Sequence, residues 1–580
     1  MWILAYLLLH LIVYSFLRLQ FLFWNWPALK TLTLSETLQA FLYGVRFDLS
    51  ALAATSGLFV LGAIWIDRKW PRAFWFTFFT FVNLVFILLN FADSELINFT
   101  ARRFTQSSFF LLGEGSVFNW VIPYPGMSIF TIFFLSAYLV FTYRVYKIPS
   151  AVKTKFQRTV ISIFIILIAI LFSRGGLQTK PLTYVDAKVF DHTLANNLVL
   201  NSTFTLIKSL GKENFERAHF FDNAKMLSLL NEQNIPSQKP ANLHEKMNVV
   251  IIILESFSLE YSQLKNPEAT PYFNQLRARG VDFTKAYANG RRSIEGVAAL
   301  LSGIPALMEE PFINSEFSSN QLIGLGTILT AQNYHTSFFH GAKNGSMHFD
   351  QFTKSVGIQN YFGQSEYGSS DNDGTWGIYD EPFLQWTCQK FSSFPTPFFS
   401  TVFTISSHQP FNIPAQHEKT FHSFKEPILN SVQYADYSLE QFMKCAEKQA
   451  WYHNTLFILT ADHTGPELNA NADFESRFKV PLVFFHPNAE VLKNLTADQW
   501  AQHIDVLPTL LETLDIPLKN KNYLARSLWQ KGPKVIALYA DRKYQLVGDI
   551  KKADDQLKAV QQYFSEGLYD NRLYYPSKSE

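Results

Sequence analysis

Long apolar runs dominate the first third of the chain and then stop. The five runs are Trp2–Phe23, Leu49–Ile66, Phe74–Phe91, Met127–Tyr143 and Val160–Phe172. A helix needs roughly 20 apolar residues to cross a hydrocarbon core of about 30 Å. Most of the runs approach that length, and the last needs its flanking residues to span. The pattern predicts five membrane-spanning helices.

After residue 246, short apolar runs alternate with helical stretches. The candidate buried strands are Val249–Leu254, Ser337–Phe339, Phe398–Thr404, Thr455–Leu459 and Val480–Phe485. The candidate helices are Pro271–Arg279, Ser293–Leu301, Gly324–Gln332, Asn430–Lys448 and Asp505–Leu514. Strands that alternate with helices imply a mostly parallel sheet covered by helices. This part of the chain is therefore predicted to be an α/β domain.

A mixed, polar stretch separates the two patterns. We predict a transmembrane domain of five helices over residues 1–175, a juxtamembrane connector over 176–246 and an extracytoplasmic α/β domain over 247–580. The connector should contain helices near Ala187–Leu210 and Asn223–Glu232. Pro236–Pro240 has the composition of a linker.

Basic residues predict the orientation of the spans, because cytoplasmic loops carry an excess of Lys and Arg. Two alternate loops are rich in them, with Arg68, Lys69 and Arg72 after the second run and Arg144, Lys147, Lys153, Lys155 and Arg158 after the fourth. The N-terminus is then cytoplasmic. Because the number of spans is odd, everything after Phe172 lies outside.

Charge and cysteine content narrow the functions further. The net charge is only +2, which gives no electrostatic argument for a nucleic-acid partner. Cys388 and Cys445 are the only cysteines, too few for a disulfide framework or a cysteine metal cluster. Two buried free thiols are favoured over a single bridge. His10 and Arg18, inside the first run, are either functional or packed and snorkelling groups, and we favour the second interpretation.

Three side chains follow predicted strands and are suited to metal binding. Glu255 ends the stretch NVVIIILES, and Asp462 and His463 follow the stretch FILTA. Oxygen and nitrogen ligands of this kind bind divalent cations, and open α/β sheets place ligands at the carboxyl ends of their strands. Taken singly, each residue is equally consistent with a solvated turn.

Two further segments carry candidate chemistry. Ser293 lies in NGRRSIEG, at the start of a predicted helix, where free N–H groups and the charges of Arg291 and Arg292 would favour a phosphate. Alone, Ser293 is better explained as a plain N-cap with Glu295 close by. His408, in SSHQPF, follows another strand and could contact a phosphoryl oxygen or act as an acid or base.

Together these segments are more informative, because each would deliver polar groups to the same edge of one sheet. Glu255, Asp462 and His463 would hold a metal ion there. Ser293 would complete the shell and attack as an alkoxide, since a bound metal lowers the pKa of its hydroxyl.

Longer motifs carry a family resemblance. They are YGVRFDLSA (Tyr43–Ala51), RRFTQSS (Arg102–Ser108), FFHGAKNGSMHFDQF (Phe338–Phe352), DGTWGIYDE (Asp373–Glu381), SSHQPF (Ser406–Phe411), TADH (Thr460–His463) and HIDVLPTLLETLDIP (His503–Pro517). With the candidate site, they resemble the alkaline phosphatase and sulfatase superfamily. Within it, the chain resembles the lipoteichoic acid synthase family of membrane phosphoglycerol transferases.

The resemblance implies roles for individual residues. It implies metal ligands at Glu255, Asp462, His463 and Ser293, a nucleophile at Ser293, and substrate contacts at His340, His408 and Arg292. The implied cofactor is one divalent ion, typically manganese, with magnesium as a substitute. Family members carry a Trp and an Arg just beyond the position of His340, and AKNGSMHFD here has neither. This departure affects the prediction of which head group is transferred, not the prediction of the type of reaction.

The implied reaction is metal-dependent transfer of phosphoglycerol from phosphatidylglycerol, through phosphorylated Ser293, to a glycan or polyol-phosphate acceptor. Its place is the outer face of the bacterial cytoplasmic membrane, and the pattern is closer to the Gram-negative branch that modifies periplasmic glucans. The alternative is a phosphoethanolamine transferase acting on lipid A or glycans, whose soluble domains usually carry several disulfides. A sulfatase-type hydrolase is less favoured, because IEG follows Ser293 where a formylglycine site needs x-P-x-R.

The predicted topology can be tested with a reporter fused after Gly176. We expect an extracytoplasmic signal, because five spans follow a cytoplasmic N-terminus. A fusion after Lys147, between the fourth and fifth spans, is the matched control and should report the cytoplasm. A cytoplasmic signal after Gly176 would contradict the orientation.

Overall fold

The computed structural model describes residues 2–66, 69–100, 102–106, 108, 125–148, 154–178, 180–190, 193–211, 215–231, 234–240, 246–265, 268–368, 371–468 and 472–576. The chain packs into two units. The first contains residues 1–215 and 314–321, and the second contains residues 216–313 and 322–580. The predicted connector, residues 176–246, contributes to both.

Five long helices form most of the first unit. They are Trp2–Trp24, Leu34–Trp65, Lys69–Thr100, Pro125–Lys147 and Lys155–Ser173, with a single-turn helix at Trp26–Leu29. Each of the five contains a segment that is long and apolar enough to cross a membrane, which confirms the prediction. Thr33 and Thr154 accept backbone hydrogen bonds at two of the N-termini, in reciprocal caps with Glu36 and Gln157. Arg68, Ser107 and Lys153, named in the predicted loops, lie outside the described residues.

The polar residues of the first helix are buried against protein. Arg18 makes two hydrogen bonds to the Asp48 carboxylate, at 2.6 and 2.8 Å. His10 contacts the Tyr6 carbonyl oxygen at 2.8 Å and the Tyr138 hydroxyl at 3.1 Å. Both residues are therefore packed and paired rather than snorkelling. Losing one partner of such a buried ion pair costs about 3–5 kcal/mol.

The connector differs in detail from the prediction. In place of one helix over Ala187–Leu210, there is a 3₁₀ turn at Tyr184–Ala187, a helix at Thr193–Val199 and a second helix at Ser202–Ser209. The two helices are separate because Asn201 is the N-cap of the second, where its side chain accepts a hydrogen bond from the Phe204 N–H. The next helix begins at Asn223 as predicted and ends at Leu229, and the predicted end, Glu232, lies outside the described residues.

The second unit contains the α/β domain. Its strands are β1 (Asn248–Leu254), β2 (Val281–Asp282), β3 (Ala286–Tyr287), β4 (His335–His340), β5 (Asn360–Phe362), β6 (Phe398–Phe403), β7 (Thr455–Ala461), β8 (Leu482–Phe485), β9 (Ala501–Gln502), β10 (Asn520–Lys521), β11 (Val535–Ala540), β12 (Lys543–Gly548) and β13 (Tyr575–Pro576). One seven-stranded sheet has the order β2-β8-β7-β1-β6-β4-β5. The remaining strands form the pairs β3-β9, β10-β13 and β11-β12.

The sheet is mostly parallel, as predicted. β1 pairs in parallel with β6 and β7, and β4 pairs in parallel with β5 and β6. β8 is antiparallel to both of its neighbours. Every residue of β1, β6, β7 and β8 is buried, which explains their continuous apolar sequences. Burying one such Val, Leu or Ile side chain contributes about 1.5–3 kcal/mol.

Helices of the second unit connect and cover the strands. After Asn223–Leu229 they are Pro271–Arg279, Ser293–Ser302, Leu325–Thr330, Phe349–Ser355, Gln364–Tyr367, Asp380–Phe391, Pro427–Ala446, Val506–Thr513 and Ala553–Tyr569. The five predicted helices are all present: Pro271–Arg279 has the predicted bounds, and the other four have shifted ends. Four helices were not predicted: Phe349–Ser355, Gln364–Tyr367, Asp380–Phe391 and Ala553–Tyr569.

The two cysteines form a disulfide, so the expectation of free thiols is wrong. Cys388, on helix Asp380–Phe391, is bonded to Cys445, on helix Pro427–Ala446. The two helices pack side by side in the hydrophobic core, where both cysteines are buried. The bond joins positions 57 residues apart in the chain.

Removing this bond should lower the stability of the second unit. We expect the double variant Cys388→Ser/Cys445→Ser to lose about 2–4 kcal/mol, since a cross-link restricts the unfolded chain. The measurement is the thermal midpoint of the purified full chain, which should fall by several degrees. Alkylation of the denatured, unreduced wild type is the control. Two modified cysteines there would contradict the bond.

Candidate metal centre and nucleophile

The pairing of β1 with β7 brings two carboxylates together. Leu254 is directly opposite Ala461 in the parallel ladder. The next residue of each strand, Glu255 and Asp462, therefore leaves the same edge of the sheet at the same level. His463 follows Asp462. These are the three predicted metal ligands, and they come from two adjacent strands.

The ligand atoms of these residues form one cluster. One ligand atom from each of Glu255, Asp462 and His463 lies within 4.8 Å of the others. His463 Nε2 is 3.1 Å from Asp462 Oδ2 and 3.8 Å from Glu255 Oε1. Two carboxylate oxygens and one imidazole nitrogen form a donor set that suits a divalent transition-metal ion.

The hydrogen bonds around the cluster leave its inner atoms available. Asp462 Oδ1 accepts the Ser256 N–H at 2.8 Å, whereas the buried Oδ2 has no hydrogen-bond partner within the described part of the chain. His463 Nδ1 is 2.7 Å from the Thr464 carbonyl oxygen, so Nδ1 carries the proton and Nε2 is free to bind a metal. An unpaired buried carboxylate oxygen is costly. The residues therefore fit a bound cation.

The electrostatics of the cluster support the same conclusion. Burial and the nearby charge of Asp462 raise the pKa of Glu255 well above its usual value. Glu255 is 2% exposed and Asp462 is fully buried, so solvent does little to screen their repulsion. A divalent cation between them would favour the ionised form of both carboxylates.

Neighbouring residues orient Glu255. Its backbone N–H donates to Thr404 Oγ1 at 2.9 Å, from the residue after β6. The Ser256 hydroxyl donates to Glu255 Oε1 at 2.7 Å. Ser256 has a φ of 54°, in the left-handed region that is unfavourable for residues other than glycine. Such strain is common at functional sites.

Ser293 is the first residue of helix Ser293–Ser302, and it faces the cluster. Its Oγ is 3.4 Å from Glu255 Oε2 and 3.4 Å from His463 Nε2. The N-cap of this helix is Arg292, so Ser293 is not the cap. The Ser293 hydroxyl is instead placed beside the candidate metal ligands.

Two other residues of this segment hold the helix in place. The Glu295 carboxylate accepts the backbone N–H groups of Arg291 and Arg292, at 2.8 and 3.1 Å. A Cβ atom on Gly296 would lie 2.1 Å from the Asp462 carbonyl oxygen. The helix can approach the metal ligands this closely only because position 296 has no side chain.

The three predicted substrate contacts have different environments. Arg292 is ion-paired with Glu295 at 2.5 Å and donates to the Glu309 carbonyl oxygen at 2.7 Å. His340 ends β4, is 2% exposed and stacks on Phe403 with ring centroids 4.9 Å apart. His408 lies in the loop after β6 and is half-buried. His408 therefore follows β6, which is next to β1, and His340 ends β4, which is one strand further along the sheet.

Two supporting residues were missed by sequence reasoning. Asn289 accepts the Ile504 N–H at 3.0 Å and donates to the Gln502 side chain at 2.8 Å, which ties the Ser293 segment to the start of the HIDVLPTLL motif. His503 contacts the Thr460 hydroxyl at 3.2 Å, and burial lowers the pKa of His503 to about 3, so it is neutral. Asn289 begins the NGRRSIEG segment and His503 begins the HIDVLPTLLETLDIP motif, so their places in these motifs could have pointed to them.

Comparisons with known proteins agree with this geometry. Residues 247–516 match the family model described as Sulfatase. Lipoteichoic acid synthase 2 of Bacillus subtilis is 26% identical over 342 residues, which cover 53% of this chain and 52% of that protein. The chain thus matches about half the length of this and the next two curated relatives. Lipoteichoic acid synthase of Staphylococcus saprophyticus is 24% identical, over 81% of this chain and 77% of that protein.

Solved structures show the same fold. A protein of the alkaline phosphatase superfamily from Vibrio parahaemolyticus superposes with a TM-score of 0.53 and 24% identity, over 63% of this chain and 100% of that one. The lipoteichoic acid synthase LtaP of Listeria monocytogenes superposes with a TM-score of 0.51 and 13% identity, over 61% of this chain and 99% of that one. The α/β part of this chain therefore matches the sulfatase family model and shares the fold of these two structures, and the chain as a whole is similar to membrane proteins named lipoteichoic acid synthase.

Proposed function

We propose that the protein is a membrane phosphoglycerol transferase that uses phosphatidylglycerol as its donor. The observation that carries the proposal is the position of Ser293, whose hydroxyl lies beside Glu255 and His463 at one edge of the sheet. The sulfatase-family domain and the five membrane-length helices support it, together with the similarity to lipoteichoic acid synthases.

Ser293 is proposed to attack the donor phosphodiester. A bond forms between Ser293 Oγ and phosphorus, and the bond from phosphorus to the diacylglycerol oxygen breaks. Diacylglycerol leaves with a proton on that oxygen. The free N–H groups at the start of the Ser293 helix are suited to the phosphoryl oxygens, because a helix N-terminus attracts anions.

A second displacement completes the transfer. A hydroxyl group of the acceptor attacks the same phosphorus, its proton is lost, and Ser293 Oγ leaves as its hydroxyl is restored. The proposed acceptor is a glycan or a polyol phosphate. His340 and His408 are proposed to contact the head group during both steps, because they follow β4 and β6, the next strands along the sheet. The exposed part of Arg292 is proposed to add positive charge next to Ser293.

The proposed cofactor is one divalent ion held by Glu255, Asp462, His463 and Ser293, with manganese preferred and magnesium as a substitute. When bound, such an ion supplies positive charge that lowers the pKa of the Ser293 hydroxyl and stabilises charge on the phosphoryl oxygens. The protein residues fix the positions of these groups and exclude bulk water, since Glu255 and Asp462 are buried.

The catalytic domain is proposed to lie outside the bacterial cytoplasmic membrane. The disulfide between Cys388 and Cys445 supports this location, because such bonds persist in the periplasm and are rare in the cytosol. The odd number of spans and the basic loops support it as well. A membrane-anchored enzyme there would meet its lipid donor at high local concentration.

The phosphoethanolamine transferase alternative makes a different prediction for the covalent intermediate. Its donor would leave phosphoethanolamine on Ser293 rather than phosphoglycerol. The single disulfide of this chain is fewer than that group of enzymes usually carries, which favours phosphoglycerol.

The covalent intermediate can be measured directly. Incubation of the full chain with mixed phospholipids should add one phosphoglycerol to the peptide that contains Ser293, as detected by mass spectrometry. Ser293→Ala should abolish labelling and lower transfer at least about 10³-fold, because the nucleophile is removed. Ser302→Ala, at the far end of the same helix, should keep both the labelling of Ser293 and the rate of transfer. Transfer by Ser293→Ala would refute the assignment, and a phosphoethanolamine adduct would identify the alternative.

Metal content provides a separate test. The purified full chain should bind one Mn²⁺ per molecule, measured by elemental mass spectrometry after dialysis. Asp462→Asn should weaken this binding at least about tenfold, because a buried charged ligand becomes neutral. Asp498→Asn, which changes a solvent-exposed carboxylate, is the matched control. If the two variants bind the same amount of Mn²⁺ per molecule, Asp462 is not a metal ligand.

A further inference from the structure

A short segment crosses the loops that carry the two candidate head-group histidines. We define the strap as residues Asp373–Asp380, which come from the DGTWGIYDE motif. On one side, Ile378 donates its N–H to the carbonyl oxygen of Gly341 at 3.0 Å, immediately after His340. Gly377 forms a bridge with Ala342 in the same place. The strap is therefore joined to the carboxyl end of β4.

The other end of the strap holds the loop after β6. The Asp380 carboxylate accepts the backbone N–H groups of Ile405 and Ser406, at 2.8 and 3.2 Å. The Ser406 hydroxyl oxygen accepts the Asp380 N–H at 3.0 Å. Hydrogen bonds to a buried carboxylate are strong. This part of the loop, two residues before His408, is thus fixed to the strap.

The strap is itself rigid. Asp373 Oδ1 accepts the N–H groups of Thr375, Trp376 and Gly377, at 2.8, 2.7 and 3.0 Å. A Cβ atom on Gly377 would lie 2.3 Å from the Gly341 carbonyl oxygen, so only glycine permits this approach. The side chain between these fixed points, Trp376, has a defined position.

Trp376 packs directly on His408. The two ring centroids are 3.9 Å apart. The indole N–H of Trp376 donates to the Gln409 carbonyl oxygen at 2.6 Å, and His408 Nδ1 lies 3.0 Å from the same oxygen. A carbonyl oxygen can only accept, so Nδ1 carries a proton. Nε2 of His408 is then the ring atom available to a substrate, and among the described residues it has no hydrogen-bond partner.

We propose that Trp376 is a positioning residue that fixes the ring and the tautomer of His408, and so determines how the site selects a hydroxylated head group. This inference rests on the proposed function, since it assigns the head group to His408. It also explains how the head-group side of the site can be supported although the stretch after His340 has no Trp or Arg. An aromatic side chain from the strap, rather than from that stretch, supports the head-group side of the site.

The test is a double-mutant cycle on the full chain in phosphatidylglycerol vesicles. Trp376→Ala should raise KM for phosphatidylglycerol about tenfold, the size expected for one misplaced hydrogen-bond partner, with a smaller change in kcat. Trp376→Phe keeps a ring against His408 and should stay within about threefold of the wild type. In the His408→Ala background, Trp376→Ala should have almost no further effect, because the two residues act as one unit.

Trp500→Ala is the matched control, since Trp500 is also half-buried but stacks on Tyr287. Its effect should be the same with and without His408. Unchanged thermal midpoints and metal content exclude simple unfolding. Additive effects of Trp376→Ala and His408→Ala, or a Trp376→Phe defect equal to that of Trp376→Ala, would overturn the inference. A wild type that does not transfer phosphoglycerol would instead overturn the proposed function.

Discussion

The parallel pairing of β1 with β7 is the constraint on which the site depends. It places the carboxylates of Glu255 and Asp462 side by side, away from water, where they repel each other. Their near neighbours are the imidazole of His463 and the polar groups of Ser256 and Ser293, none of which carries a fixed positive charge. The arrangement is tolerable with a cation bound between them. The left-handed Ser256 donates its N–H and hydroxyl to these two carboxylates, and the absence of a side chain at Gly296 lets the helix of the candidate nucleophile Ser293 pack on Asp462.

Chemistry and recognition occupy neighbouring parts of one sheet edge. β7 and β1 carry the candidate metal ligands, whereas β6 and β4 lead to His408 and His340. The order of the strands in the sheet, β7-β1-β6-β4, therefore separates the candidate metal ligands from the two histidines proposed to contact the head group. Changes in the loops after β6 and β4 could alter the head group without disturbing Ser293. Folds of this kind can support several related transfers by such changes.

Much of this arrangement could be predicted because apolar runs and motif positions are visible in sequence. The buried strands and the five long helices follow from continuous hydrophobicity. Glu255, Asp462 and His463 were predicted as ligands because several motifs share one sheet edge and resemble a known family, since a place after a strand does not by itself distinguish a ligand from a turn residue. Contacts between distant residues are not visible in this way. Strand hydrophobicity does not encode direction, so the antiparallel β8 was not foreseen. Asn201 divides a helix through a local cap, and Arg292 pairs with Glu295 because the turn brings them together.

The disulfide has a consequence for how the protein is prepared. Cys388 lies on the helix that begins at Asp380, the residue that holds the loop before His408. Chain made in a reducing cytosol would have the same sequence but would lack this covalent tie. If His408 contacts the head group as proposed, the two preparations should differ in head-group preference, because the Cys388 helix begins at the residue that holds the loop before His408, whereas Ser293 lies on another helix. The oxidation history of the sample thereby becomes a variable in measurements of substrate preference.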